Sequence, residues 1–326
     1  MSLKQIFKAF PAPKFLDLPF AGVSISDHYI RLIKFNRRGS RLNIEKFYEK
    51  TLPVGTIVNG QINNPDEIVN ILSEMKRDLK LNYIKLSLPE EKGYLFTAKI
   101  PLVSEKEIKS AVESKMEENV PVSPLELTFD YLLFERAEKN LVNVVVSAMP
   151  IELVNSYVDI AKRADLVLLS LEIESQAMTR AVLPKGTKDT ALIVNFSKDK
   201  IGLFVSSEGV VRFTSTISSK GEMASNPSYL TQEIKKLFTY WHTLKENVGK
   251  SEKKISHIYI SGEGFDQNIV EYVSNQSQTP ASLANVWINA FDINKSVPEI
   301  SFDDSLRFTC AVGLALPSKV LIEKNV

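Results

Sequence analysis

In the stretch GVSISDHYIRLIKF (Gly22 to Phe35), apolar Val23 and Ile25 alternate with polar residues, and Ile30, Leu32 and Ile33 resume after a polar interval. That spacing predicts a strand, a tight turn and a second strand. A third strand-like run spans Leu42 to Leu52 and ends among the turn residues Pro53, Gly55, Asn59 and Gly60. Asn64-Pro65-Asp66 then opens a helix, with Ile68, Val69, Ile71, Leu72 and Met75 as its apolar stripe. Asn82 to Leu88 alternates as a strand and stops at Pro89.

The next block has a different order. Tyr94 to Ile100 predicts a strand, and Ser104, three residues before Glu107, predicts a capping box. The helix behind it ends at Pro121. Two strands follow, Leu127 to Phe134 and Leu141 to Met149, separated by a polar turn at Ala137 to Asn140. Strand, helix, strand, strand outlines a small α+β unit. A helix over Ile151 to Ala164 and a strand over Val167 to Ile173 then rejoin the first layer.

From Ala191 the opening pattern recurs: the strand ALIVN, the polar turn FSKDK, a strand from Ile201 to Val205, and a third from Val210 to Ser215. Side-chain identity is barely shared between the two copies, so the duplication is one of structure. A long helix from Tyr229 to Lys245 and a buried strand from His257 to Ile260 follow. The turn Ser261-Gly262-Glu263-Gly264 leads to a helix from Asp266 to Ser274. A last helix runs from Ser305 to Leu316, where Ala311, Gly313 and Ala315 permit close packing.

Composition narrows the classes of function. With 326 residues, 44% apolar and 24% charged, the chain has ample core for two domains and no disorder signature. A net charge of +1 gives no global pull toward nucleic acid or anionic lipid. The short basic run with Arg37, Arg38 and Arg41 is balanced by Glu45 and Glu49 and reads as a solvated hairpin face. A lone cysteine, Cys310, excludes an internal disulfide and fits a reducing compartment. His28, His242 and His257 are too scattered for a metal-ligand motif. No apolar run has the length of a membrane span, and MSLKQIFKAFPAPKFL lacks the continuous apolar core of a secretory signal. Its Leu3, Ile6, Phe7 and Phe10 share one helical face before Pro11 and Pro13, which reads as a docked or loose tail ahead of a membrane-touching helix.

Two halves that each open with strand, turn and strand resemble the actin-like ATPase fold: an α/β, ribonuclease-H-like duplicated, two-domain fold whose two turns hold phosphates across a cleft. The inserted α+β strand-helix-strand-strand subdomain, of the SHS2 type, resembles that of the FtsA and PilM families. Four stretches resemble PilM in particular: GVSISDHYIRLIKF, MEENVPVSPLELTFDY (Met116 to Tyr131), VNVVVSAMPIELVNSYVDIAKRADLVLLSLEIESQA (Val142 to Ala177) and RFTCAVGLAL (Arg307 to Leu316). Together they keep the family's order from about Phe20 to Leu316. The resemblance implies an N-terminal tail at 1–17, a first actin-like domain at 18–93 and 150–187, and an inserted subdomain at 94–149. A second domain at 188–326 then ends in a helix that returns to the first.

Function follows from the same resemblance. It implies a cytoplasmic scaffold of the type IV pilus inner-membrane assembly complex, peripheral at the inner face of the membrane. Its partner would be a PilN-like bitopic membrane protein, bound through its N-terminal cytoplasmic peptide in a groove by the insertion, alongside other pilus assembly components. Self-association stays open, and no nucleic-acid role is implied.

The implied cofactor is ATP with Mg²⁺, yet the family's phosphate-turn aspartates and glycines are replaced. Ser24 and Ser26 stand in the first turn, Asn195 and Ser197 in the second. Serine and asparagine offer oxygen without charge, which weakens a Mg²⁺ site. Degenerate hydrolysis is therefore the reading the resemblance supports. Asp27 and Asp199 lie in the same turns and could reach a metal from shifted positions, so an active Mg-ATPase is the alternative. On the adenosine side stand Gly262 and Gly264, which permit close backbone approach, and Glu233, at the family's ribose-contacting position. For these three an ordinary glycine turn and a solvated glutamate weigh equally. An FtsA-like division protein is a third reading, set back by the short ending LPSKVLIEKNV.

Overall fold

The computed structural model describes residues 18–38, 41–138, 140–218, 227–266, 268–292 and 298–317. The stripe of Leu3, Ile6, Phe7 and Phe10, the side chains of Arg37, Arg38 and Arg41, and residues 318–326 lie outside what is described.

Strands β1 (Phe20–Ile25), β2 (Tyr29–Arg38) and β3 (Arg41–Thr51) form an antiparallel meander. A two-residue ladder, β4 (Ile57–Val58) with β5 (Gln61–Ile62), leads to α1 (Pro65–Leu79). Asn64 caps that helix by accepting the Glu67 N–H at 3.3 Å, and Asp66 and Glu67 favour its positive end. Its buried face is Ile68, Ile71, Leu72 and Met75. Strand β6 (Tyr83–Leu88) then returns parallel to β1.

The inserted unit is β7 (Tyr94–Pro101), α2 (Glu105–Asn119), β8 (Leu127–Glu138) and β9 (Leu141–Pro150), with strand order β7-β9-β8. The capping box forms: the Glu107 carboxylate accepts from the Ser104 N–H at 3.1 Å and hydroxyl at 2.6 Å. Val112 and Met116 of α2 pack on Ile100, Val144, Val146 and Ala148, giving the unit its own small core. Helix α3 (Ile151–Arg163) and β10 (Val167–Ile173) then complete the first sheet, in the order β10-β6-β1-β2-β3.

After α4 (Glu174–Val182), the second sheet repeats the plan. It comprises β11 (Thr190–Phe196), β12 (Lys200–Ser207), β13 (Val210–Ser218), β14 (Ile255–Gly262) and β15 (Ala281–Leu283), with α5 (Pro227–Thr243) and α6 (Ile269–Ser277) between them. Its order, β13-β12-β11-β14-β15, matches the first sheet strand for strand, with the first, fourth and fifth strands parallel in both. Two copies of this layer make the actin-like two-domain fold. The chain then passes through α7 (Phe302–Ser305) and a 3₁₀ turn into α8 (Thr309–Ala315).

The sequence pattern differs from the structure in places. Helix α4 was not expected, because it follows β10 directly with no side-chain cap to announce it. Strand β15 is only three residues long, below the length at which alternation registers. The last helix begins at Thr309 after a 3₁₀ turn instead of running unbroken from Ser305.

Helices α4 and α8 form the layer between the sheets. Their buried Ala177, Met178, Ala181, Ala311, Val312 and Leu314 join Ile33 of one sheet to Ile193 and Phe204 of the other. Small residues set the spacing. A Cβ on Gly313 would lie 1.8 Å from the Ala177 carbonyl oxygen, and one on Gly22 would lie 2.3 Å from that of Ala311. Gly313→Val is therefore expected to destabilise the protein by about 3 kcal/mol through overpacking, read as a lower thermal midpoint by circular dichroism. An unchanged midpoint would contradict this account of the helix crossing.

Candidate functional site

The two meanders end in matching turns that face each other: residues 26–28 between β1 and β2, and residues 197–199 between β11 and β12. Both close in the same way. The Ser26 N–H and hydroxyl donate to the Tyr29 carbonyl at 2.9 and 3.2 Å; those of Ser197 donate to the Lys200 carbonyl at 2.9 and 2.8 Å. Glycine could make only the first bond of each pair, and neither serine has a positive φ. The serines thus fit the turns on structural grounds. Ser24 is buried beneath the first turn, and Asn195 pairs in register with Gly202 and Ser261.

The two aspartates that could have approached a metal are engaged elsewhere. Asp27 turns back into its own half, where its carboxylate accepts the N–H groups of Asn59 and Gly60 at 2.7 and 2.9 Å. Asp199 reaches across the cleft to His28 Nε2 at 2.7 Å. Gly262 and Gly264 both have positive φ, +96° and +80°. At Gly262 a Cβ would lie 1.9 Å from the Phe196 carbonyl oxygen, so the close approach this glycine permits is to the chain's own β11. Ser24, Ser26, Asp27, Asn195, Ser197, Asp199 and Gly262 line the cleft, whereas Gly264 and Glu233 do not. Glu233 lies on α5 and pairs with Lys236 at 2.7 Å.

Charged residues outside the expected set occupy the middle of the cleft. Arg31 donates from Nε to Glu49 at 2.5 Å, from Nη1 to the Arg307 carbonyl at 3.2 Å, and from Nη2 to both oxygens of Glu263 at 2.7 and 2.8 Å. Lys200 Nζ donates to both oxygens of Glu91 at 2.8 Å. Next to it Glu90 is buried and accepts the Ser175 N–H at 3.0 Å. Burial holds the Glu90 carboxyl above the ordinary range, against the bonds from Ser175. Glu174, at the start of α4, is pushed up to about 7 by burial, with Lys200 opposing and Glu91, Glu90 and Asp27 adding to the rise. Burial alone would lower Lys200, but Glu174 and Glu91 outweigh it and hold the ammonium above its usual value. The sequence did carry a signal for these groups: Arg31 and Lys200 are basic residues within or at the edge of buried apolar strands, where a charge needs a partner.

This arrangement does not fit a magnesium nucleotide. The lining residues enclose about 60 Å³, room for a few water molecules, against the several hundred typical of a ligand pocket. Among the described residues no three His, Cys, Asp or Glu side chains gather to hold a metal ion. Arg31 and Lys200, two cations of the cleft that could meet phosphate, are bound by carboxylates of the chain itself. Among the described residues, too, no helix is long and apolar enough to cross a membrane.

Residues 22–226, more than half of the chain, match the family model described as Type IV pilus assembly protein PilM. No curated protein matches in sequence. Among solved structures, the chain is similar to that of a PilM-PilN type IV pilus biogenesis complex at 16% identity and a TM-score of 0.76, covering 91% of this chain and 98% of that one. It is also similar to the ethanolamine utilization protein EutJ from Carboxydothermus hydrogenoformans at 12% identity and a TM-score of 0.51, covering 90% and 88%.

The half-buried Glu174 predicts a pH effect. In the folded chain it keeps its proton to about pH 7, in the unfolded chain only to about 4.5. The folded state therefore binds more protons between these values, and stability falls as pH rises through that window. Glu174→Gln is expected to flatten the fall, so that its denaturation midpoint drops less than that of the wild type between about pH 5 and pH 8. Identical slopes for both proteins would remove Glu174 as the source.

Proposed function

The chain belongs to the PilM family of type IV pilus assembly proteins, and we propose that it grips a PilN-like membrane protein by that partner's N-terminal cytoplasmic peptide, without hydrolysing ATP. The observation that carries this reading is the extent of the likeness. One chain-long fold, insertion included, is shared with the protein of a PilM-PilN complex over 98% of that protein's length.

Peptide capture is assigned to the neighbourhood of the inserted unit. An extended segment can add to a free sheet edge or bury side chains in an apolar groove. Among the described residues β8 pairs only with β9, and Leu102 and Leu125 of the same unit are exposed. Through such a partner the chain would sit at the inner face of the membrane. The FtsA-like reading loses ground to the family match, which names the pilus.

The residues present argue against turnover. A phosphoryl transfer site needs a metal-bridged phosphate and a positioned nucleophile. Here Ser24 and Asn195 bring no charge, Asp27 holds backbone, and Asp199 holds His28.

The purified protein is expected to bind a synthetic peptide of the PilN-like N-terminus in calorimetry with no nucleotide added, and removal of residues 94–149 is expected to abolish binding. A deletion variant with native circular dichroism that still binds would refute the placement. Phosphate release from MgATP is expected at the level of a protein-free control, and sustained release would favour the active ATPase.

A further inference from the structure

Arg31 is 9% exposed, and each of its three guanidinium nitrogens has an acceptor. The Tyr29 ring lies 4.3 Å from its central carbon, so one face of the group is covered as well. Tyr29 and Glu49 belong to the first half of the molecule, and Glu263 to the second. A planar guanidinium fork suits two kinds of anion, carboxylate and phosphate, each taken through two parallel bonds. Between the two phosphate-type turns, Glu263 supplies that anion from within the chain.

The loop that carries Glu263 is built to place it there. Gly262 lets β14 end flat against β11, and the Glu263 N–H then donates to the Phe196 carbonyl at 3.0 Å. Two more side-chain contacts span the same cleft, a hydrogen bond between His28 and Asp199 at 2.7 Å and the ion pair of Lys200 with Glu91 at 2.8 Å. Each joins an element of the first half to an element of the second.

We propose that Glu263 is a built-in substitute for a nucleotide phosphate, which through Arg31 holds the two halves closed with no bound ligand. The proposal rests on the non-hydrolysing part of the reading above and is independent of peptide capture. It predicts that the wild-type cleft rejects polyphosphates, and that removing the Glu263 charge frees Arg31 to accept one.

The test uses the full chain and Glu263→Gln, with hydrogen exchange, thermal melting and inorganic tripolyphosphate as the probe anion. In the wild type, millimolar tripolyphosphate or MgATP is expected to leave the melting temperature unchanged. In Glu263→Gln, amides of residues 24–31 and 195–200 are expected to exchange faster, and melting to fall by roughly 5 °C. Tripolyphosphate should restore part of that loss, and should fail to do so in the double variant Arg31→Gln, Glu263→Gln. Should Glu263→Gln not fold, Glu263→Asp, which keeps the charge on a shorter arm, is expected to show intermediate exchange. Stabilisation of the wild type by either polyphosphate overturns the proposal, as does wild-type exchange in whichever variant folds. Peptide affinity measured on the same samples reports separately on the partner reading, so the two can fail independently.

Discussion

The packing of α4 against α8 is the constraint on which the rest of the molecule depends. One helix pair serves both sheets, and it can do so only because it is thin. Gly313 rests on the Ala177 backbone, Gly22 on α8, and the remaining contacts are largely alanine, methionine and leucine. Larger side chains at those two glycines would wedge the layers apart. The turns at residues 26–28 and 197–199 lie at the far ends of strands anchored on this layer, so its thickness fixes how closely they meet. At the observed spacing His28 and Asp199 are within hydrogen-bond reach.

A cleft this narrow has electrostatic consequences. Arg31 and Glu90 are buried and Lys200 and Glu174 half-buried, and each needs a compensating partner. The chain supplies them internally. Arg31 has two carboxylates and a carbonyl, Lys200 has a bidentate carboxylate, and Glu90 accepts a backbone N–H. Glu174 answers burial differently, by holding its proton to about pH 7. Buried pairs of this kind add little net stability over apolar packing, but removing one partner costs about 3–5 kcal/mol because a bare charge is left behind. They therefore act mainly as specificity: one relative placement of the halves satisfies every group, and others strand a charge.

The layered plan was legible because it rests on local alternation. Both strand-turn-strand openings, the Asn64 and Ser104 helix starts and the inserted unit follow from spacing within a dozen residues. The missed elements, α4 and β15, are short and carry no cap or sustained alternation. At the cleft, the serines and aspartates of the two turns were legible because a hairpin fixes its own tip. Glu233 was not, since the way α5 faces depends on distant packing, whereas its pairing with Lys236, three residues on in the same helix, is local. Arg31 with Glu263 and Lys200 with Glu91 were hidden for a related reason. Their partners lie 232 and 109 residues apart, and pattern alone says that a buried base needs an acid without saying which one.

Closure also fixes the inserted unit. It departs from the first half after β6 and returns to it at α3, yet β7 lies against β13 of the second half. There the Arg212 guanidinium stacks 3.5 Å over the Phe134 ring of β8. The insertion is thus bonded to one half through the chain and to the other by contact. Any opening of the cleft must shear that contact, so a ligand that gated the cleft would also tilt the insertion. With Arg31, Lys200 and His28 bound across the cleft to acids of the same chain, the tilt is set by the fold. On the non-hydrolysing reading proposed above, a scaffold built this way would present its inserted unit without fuel.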